Sequence, residues 1–246
     1  MHRRHALERL PIFRSVDRRR QAIKLLRAAR RLRRRGFEAI GSARYSRPEV
    51  EGLERYLDFE GGYFVEAGAN DGFRQSNTYF LERFRGWRGV LIEPIPELYE
   101  RCVRERSNSQ CFNCALVNPG SAGQAVVMRF GDLESHLAGP DDLPPDADVA
   151  NWGWSRAYDV LVPTRTLTEV LDEAAAPRWD FLSLDLEGHE ERVLAGLDLD
   201  RHRPRYILVE AVPAEDRLPR LERLLGGRYE LLGQLGERDF LFGRTG

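Results

Sequence analysis

In the stretch DFLSLDLEGHEERVL, Asp180 to Leu194, an apolar run ends on Asp185, Glu187 and His189, spaced two apart. Residues two apart point the same way on extended backbone, so two carboxylates and an imidazole could line one face of a strand's exit. Such a trio can supply a general base, or share a divalent cation with further carboxylates. The plainer alternative is a surface turn in which Glu187 and Glu190 cap the following helix and His189 is solvated.

A second polar concentration lies in VEAGANDGFRQSNT, Val65 to Thr78. An apolar run ends at Glu66, Gly68 and Gly72 permit a tight turn, and a helical pattern opens near Ser76 and Asn77. This is the layout of a nucleotide-binding turn, with amide N–H groups available at a helix start. The spacing is not G-x-G-x-x-G, because Asn70 stands where a second glycine would let a pyrophosphate approach. With Asp71 beside it, the turn suits a ligand carrying an amine and a carboxylate better than one carrying two phosphates. Glu93 closes the next apolar run, GVLIEP, 25 residues beyond Gly68. An acid there can accept from the two hydroxyls of a ribose. Glu210 ends a further run, YILVE. In open parallel sheets ligands sit at the carboxyl ends of the strands, so Glu66, Glu93, Asp185 and Glu210 would share one crevice.

The elements that must position these residues follow from periodicity. Short apolar runs at 63–67, 89–94, 110–117, 179–186 and 205–212 alternate with helical patterns at 77–84, 96–105, 167–173 and 189–197. That alternation predicts an α/β fold, a doubly wound parallel sheet with helices on both faces. The tail, 228–244, reads as two strands joined at Gly236-Glu237-Arg238, an antiparallel hairpin closing the sheet. Residues 1–58 form a basic helical extension, with a helix over 16–35 stopping at Gly36 and a short one over 47–57. Residues 59–246 form the main domain. Within it, residues 118–165 interrupt the alternation, and a connection of that length is usually functional or disordered. Its His136, Trp152, Trp154 and Tyr158 make it a candidate lid over an acceptor.

Charge is unevenly spread. Residues 1–50 carry 16 Lys and Arg against four acids, net +12, and the rest of the 246-residue chain is net −13. An acidic body is a poor nucleic-acid binder, so no nucleic-acid partner is expected for it. The basic arm has an apolar seam. It either packs on the acidic body or on a second subunit, making a homodimer, or touches nucleic acid or an anionic membrane peripherally. No run reaches the ~18 apolar residues of a membrane span, and no secretory leader is visible. Three cysteines, Cys102, Cys111 and Cys114, make no disulfide framework, so a reducing, cytoplasmic compartment is expected.

Taken in order, EAGANDGFRQSNTYFLERFRGWRGVLIEPIP, DFLSLDLEGHEERVLAGL and ILVE resemble the FkbM-type S-adenosylmethionine-dependent methyltransferases, from about Tyr63 to Val212. The resemblance implies a class I methyltransferase (Rossmann-like) fold: seven strands, mostly parallel, with a C-terminal antiparallel hairpin. It implies S-adenosylmethionine as cofactor and O-methylation of a small-molecule hydroxyl acceptor, a sugar, glycoside or natural-product metabolite. Glu66, Gly68, Asn70, Asp71 and Gly72 would form the first cofactor loop, and Ser76 and Asn77 would hold the methionine carboxylate end. Glu93 would grip the ribose, Asp185 would lie near the cofactor amine and the acceptor, and Glu187 and His189 would face the acceptor. Activation of the hydroxyl would fall to His189 with Asp185 and Glu187, or to a Mg²⁺ ion held by Asp185 and Glu210. A NAD(P)-dependent oxidoreductase shares the glycine turn and the ribose acid. Asn70 and the Asp-x-Glu-x-His edge count against it. An anionic-surface binding module working through the arm is the third reading.

Overall fold

The computed structural model describes residues 16–44, 46–130, 136–137, 158–176 and 179–246. These fall into two units. The described part of the smaller one is helix α1 (Val16–Ala39) with the turn that follows. The helix overruns the stop predicted at Gly36. A mid-helix glycine costs only about 1 kcal/mol, and the left-handed residue that ends the helix is Gly41 (φ 76°), where Gly41 N–H donates to Glu38 O and Ser42 N–H to Phe37 O.

The larger unit carries the predicted sheet. Its elements are β1 (Tyr63–Ala67), α2 (Tyr79–Phe84), β2 (Arg88–Ile92), α3 (Pro96–Glu105), β3 (Gln110–Phe112), α4 (Leu167–Glu173), β8 (Phe181–Leu184), α5 (Glu190–Leu194), β9 (Tyr206–Glu210), α6 (Ala214–Leu225), β10 (Tyr229–Gln234) and β11 (Asp239–Arg244). Between β3 and α4 run β4 (Ala115–Leu116), β5 (Ala125–Phe130), β6 (His136–Leu137) and β7 (Tyr158–Arg165). The seven-stranded sheet has the order β10-β11-β9-β8-β1-β2-β3. Strands β9, β8, β1, β2 and β3 run parallel to one another, and β11 is antiparallel to both β9 and β10. The hairpin therefore inserts its second strand beside β9.

Residue alternation explains why the sheet is covered twice. Val65, Val90, Leu182, Ile207 and Phe242 face one apolar cluster, which α4 and α6 complete with Val170, Leu171, Leu221 and Leu225. Their chain neighbours Phe64, Leu91, Phe181, Leu208 and Leu241 face the other, with Leu81 of α2 and Cys102 of α3. Each such buried side chain stabilises by roughly 1.5–3 kcal/mol, so a one-residue slip of any central strand would be prohibitive. Val50, Leu53 and Leu57 belong to this second cluster, and Val50 N–H donates to Asn77 Oδ1 at 2.9 Å. Residues 46–58 are thus part of the body, and the extension ends sooner than the sequence pattern places it. The helix expected over 47–57 is only a 3₁₀ turn, Leu53–Arg55.

Two further expectations are corrected. The run QCFNCALV is not one strand. Asn113 breaks it by donating through Nδ2 to Glu93 O (2.9 Å) and Pro94 O (2.8 Å), and Ala115–Leu116 pair with β7 instead. Nor is 118–165 simply a loop, since β5, β6 and β7 join β4 in a four-stranded sheet, ordered β4-β7-β5-β6. Met128 and Val162 pack there with Ile95, Leu98 and Ala115. Trp152 and Trp154, and the side chain of His136, lie outside the described residues, so the lid expectation is carried no further.

Candidate active site

Parallel pairing of β1 with β2 and β8 brings the three strand exits side by side, with Ala67 opposite both Ile92 and Leu184. The loop after β1 is the most tightly built. Gly68 (φ 84°) lies so close to β8 that a Cβ would collide with the Asp185 carbonyl, and Asp185 N–H donates to Ala67 O at 3.2 Å. Asn70 (φ 50°) is left-handed too, its Oδ1 accepting from Asp71 N–H at 2.7 Å. Asp71 accepts from the Phe73 and Arg74 N–H groups and the Arg74 guanidinium (3.2, 2.9 and 3.0 Å). Burial opposes its ionisation, but these donors win and hold its carboxyl below the usual range.

Glu66, Ser76 and Asn77 come together, but inward. The buried Glu66 carboxylate accepts from Ser76 Oγ (2.9 Å), Asn77 N–H (2.8 Å) and Thr78 Oγ1 (2.6 Å). Asn77 spends its side chain on Val50 N–H and on Ser183 Oγ, at 3.1 Å. Rather than reaching directly to a ligand, these three side chains brace the loop. Arg106, which sequence reasoning missed, is the centre of the brace. It is 1% exposed and donates to Glu82, Glu66, Ser76, Thr78 and the Gly72 carbonyl. A Cβ on Gly72 would press on Arg106 and Cys102, so the glycine lets the loop close over the guanidinium.

At the end of β2 the buried Glu93 takes one N–H on each carboxylate oxygen, from Asn70 (2.8 Å) and Ile95 (2.9 Å). Desolvation outweighs those two bonds and, with Asp71 nearby, raises its carboxyl to about 8. Each oxygen keeps a lone pair for a further donor.

The loop after β8 is held from below by Glu190, fully buried, which was read only as a helix cap. Its Oε1 accepts from Leu186 N–H (2.8 Å) and Gly188 N–H (3.2 Å), and its Oε2 meets Arg217 Nη2 at 2.7 Å. Arg217, another residue without a sequence signal, also donates to Gly188 O and Glu191. Glu187 (φ 50°) is exposed, and His189 is the half-buried residue that opens α5. Asp185, the first residue after β8, is exposed to solvent. Desolvation, then the charges of Glu210, Glu187, Glu190 and Asp239, push its carboxyl up to about 7. Asp239 faces Glu210 across the β9–β11 ladder. Partial burial and that like charge, with Glu49, raise it to about 6.

The metal expectation gains no support. Among the described residues no group of three or more His, Cys, Asp and Glu side chains could hold an ion, and Glu210 pairs instead with Arg238 at 3.4 Å. The three cysteines are free: Cys102 and Cys114 are buried, and Cys111 lies 3.7 Å from Cys102 through sulfur.

A seven-stranded, mostly parallel sheet with its last strand inserted antiparallel, and polar residues gathered at the carboxyl edge of its central strands, is the fold of a class I methyltransferase. The methyltransferase FkbM domain model matches residues 66–231, and the chain belongs to that family. It is an S-adenosylmethionine-dependent methyltransferase, which decides against the oxidoreductase reading. A search of curated proteins found no match. Similar solved structures include a TehB-like S-adenosylmethionine-dependent methyltransferase from Corynebacterium glutamicum (14% identity, 87% of this chain and 96% of that one, TM-score 0.40). Two fibrillarins are also similar. One is the pre-rRNA processing protein of Methanococcus jannaschii (11%, 82% and 77%, 0.46), and the other is from Aeropyrum pernix with natively bound S-adenosylmethionine (13%, 76% and 67%, 0.44).

The residues present fit that cofactor. Gly68 keeps the β1 and β8 loops in contact, and Glu93 and Asp185 are carboxyl groups at the ends of β2 and β8 that could accept from a ribose diol and face a cationic group. No helix among the described residues is long and apolar enough to cross a membrane.

Proposed function

We propose that the chain methylates a hydroxyl oxygen of a small molecule, a sugar, glycoside or natural-product metabolite. The observation that carries the reading is the strand-end geometry: Asp185 follows β8 directly against the Gly68 turn, four residues before His189, with its carboxyl raised to about 7. The cofactor supplies a methyl group on a sulfonium. Glu93 and the β1 loop orient it, with Glu66, Ser76 and Asn77 acting through the backbone they hold. Asp185, Glu187 and His189 serve the acceptor. A hydroxyl is a poor nucleophile until its proton has somewhere to go, and a carboxyl raised to about 7, or a neighbouring imidazole, is suited to take it.

Two measurements test this. Calorimetric titration with S-adenosylhomocysteine, with and without EDTA, should give micromolar binding that is indifferent to chelation. Transfer of labelled methyl to a panel of polyols and glycosides, set against amines, should yield alkali-stable ethers. In the His189→Ala variant most turnover should vanish while cofactor affinity stays within a few-fold. Labelled amines, or near-normal turnover in that variant, would overturn the proposed chemistry.

A further inference from the structure

Helix α1 is 24 residues long, about 36 Å, and holds ten Lys and Arg against two acids. Several of its described apolar residues are not spent on packing. Leu25 and Leu32 are each 71% exposed, and Ala28, Ala29 and Gly36, at three- and four-residue steps with them, are exposed as well. They form one seam. Arg33 and Arg35, both exposed, fall on either side of it, and Arg30 and Arg31 lie farther round. The face of α1 that is buried is the opposite one, at Arg34 and Glu38, so the seam is left to solvent.

We propose that α1 is an interfacial helix that lies on an anionic phospholipid bilayer, with the Leu25–Leu32 seam in the acyl boundary and the flanking arginines at the headgroup phosphates. The arrangement matches a bilayer on both counts. It has an apolar strip too narrow to span, bordered by long cationic side chains that can keep their charge at the surface while their stems lie on the apolar layer. A nucleic-acid backbone would satisfy the arginines but leave the leucines in water. A second copy of the same helix would satisfy the leucines but set one group of ten cations against another. The larger unit, acidic by sequence, contributes nothing to such a surface, so attachment would rest on the arm. An enzyme held in this way would meet acceptors carried on or released at the membrane face.

The test is co-sedimentation of the full chain with vesicles of phosphatidylcholine alone and of phosphatidylcholine mixed with phosphatidylglycerol. Binding is expected to the anionic vesicles only and to weaken as salt rises. Arg30, Arg31, Arg33 and Arg35 all changed to Gln should lower partitioning about a hundredfold or more. Leu25→Gln with Leu32→Gln, which leaves every charge in place, should lower it about tenfold. Binding of S-adenosylhomocysteine, unchanged in both variants, shows that the larger unit is intact. Three results would each overturn the proposal: no partition into anionic vesicles at low salt, full partition by the double leucine variant, or tighter binding to single-stranded RNA that the leucine changes leave untouched. A concentration-dependent dimer that loses its partner on Leu25→Gln and Leu32→Gln, without vesicle binding, would assign the seam to self-association instead.

Discussion

Arg106 beneath the β1 loop and Arg217 beneath the β8 loop are both buried arginines that tie a strand exit to the body, yet they leave their loops in opposite electrical states. Arg106 stands between Glu66 and Glu82, meets Ser76, Thr78 and the Gly72 carbonyl, and lies against the Phe64 and Tyr79 rings. Every polar group around it has a partner. Arg217 binds Glu190 and Glu191, while the charges of Glu210, Glu187, Glu190 and Asp239 act together on Asp185, and Arg238 pairs with Glu210. The first loop is finished on folding, as suits a part that must present backbone to a cofactor without rearranging. The second gathers like charges around Asp185, which raises that carboxyl's proton affinity toward the range proton transfer needs.

The sharpest way to break this contrast is at the first arginine. Arg106→Ala strips the cation from Glu66 and Glu82, both buried, and leaves their carboxylates without it. Removing one partner of such a network costs roughly 3–5 kcal/mol. We expect urea unfolding to show a loss of that size, with cofactor affinity falling in whatever fraction still folds. A loss below about 1 kcal/mol would mean that the hydroxyls and amides around Glu66 suffice and that Arg106 is dispensable.

The second test is chemical. Asp185→Asn keeps the shape of the side chain but removes its proton acceptor, and turnover should fall about a hundredfold or more while binding of S-adenosylhomocysteine changes little. In the unmodified chain, kcat/KM should rise with pH through about 7 as Asp185 ionises. The stability sign is the opposite. A carboxyl whose folded pKa lies above its unfolded value binds protons preferentially in the native state, so its stabilising contribution is present at low pH and fades as pH climbs from about 4 to 7. Asp185→Asn should therefore raise the melting temperature at pH 8 relative to the unmodified chain and have little effect at pH 4. A catalytic limb that stays put in the variant would remove Asp185 from the reaction.

How much of this was written in the sequence depends on the kind of interaction. Glu66, Glu93, Asp185 and Glu210 were legible as strand ends because each follows an apolar run, and parallel order then puts all four on one edge. Whether such an acid faces the crevice or the core was not legible. Glu66 turns inward because Arg106, 40 residues on, fills the space beside it, and nothing local announces that pairing. Glu190 looked like a helix cap and proves to be the anchor of the β8 loop because Arg217, on a helix beyond the next strand, meets it. Asp239 was invisible as a site residue for a similar reason, since only the register of β11 against β9 sets it opposite Glu210. The extra sheet was missed because β5 and β7 mix apolar, charged and, at Pro163, strand-breaking residues, so period-two alternation is weak over 118–165.

A smaller effect should follow from loosening the second anchor while leaving its shape. Glu190→Gln keeps one acceptor for the Leu186 and Gly188 N–H groups but loses the charge facing Arg217. The pair is buried, so we expect a loss of roughly 1–3 kcal/mol, less than at Arg106 because Arg217 retains Glu191. Turnover should drop more than cofactor affinity, since the anchored loop carries Glu187 and His189. Equal losses in both would show that the two loops move as one unit rather than as two separately held parts.

The finest test changes charge alone. Glu210 is the leading charge acting on Asp185, and it faces Asp239 across the ladder. Glu210→Gln removes one like charge from both neighbours without removing a side chain. Both carboxyls should then ionise more readily, and the rising limb of kcat/KM should move to lower pH by a fraction of a unit, with the plateau rate nearly unchanged. On this reading the residue tunes its neighbours and touches nothing that reacts. The metal-assisted route gives a different answer, because an ion shared by Asp185 and Glu210 would lose a ligand and the plateau itself would collapse, with recovery on added Mg²⁺. One pH–rate profile, measured with and without EDTA, therefore separates a crevice whose charges set a proton affinity from one whose charges are waiting for a cation.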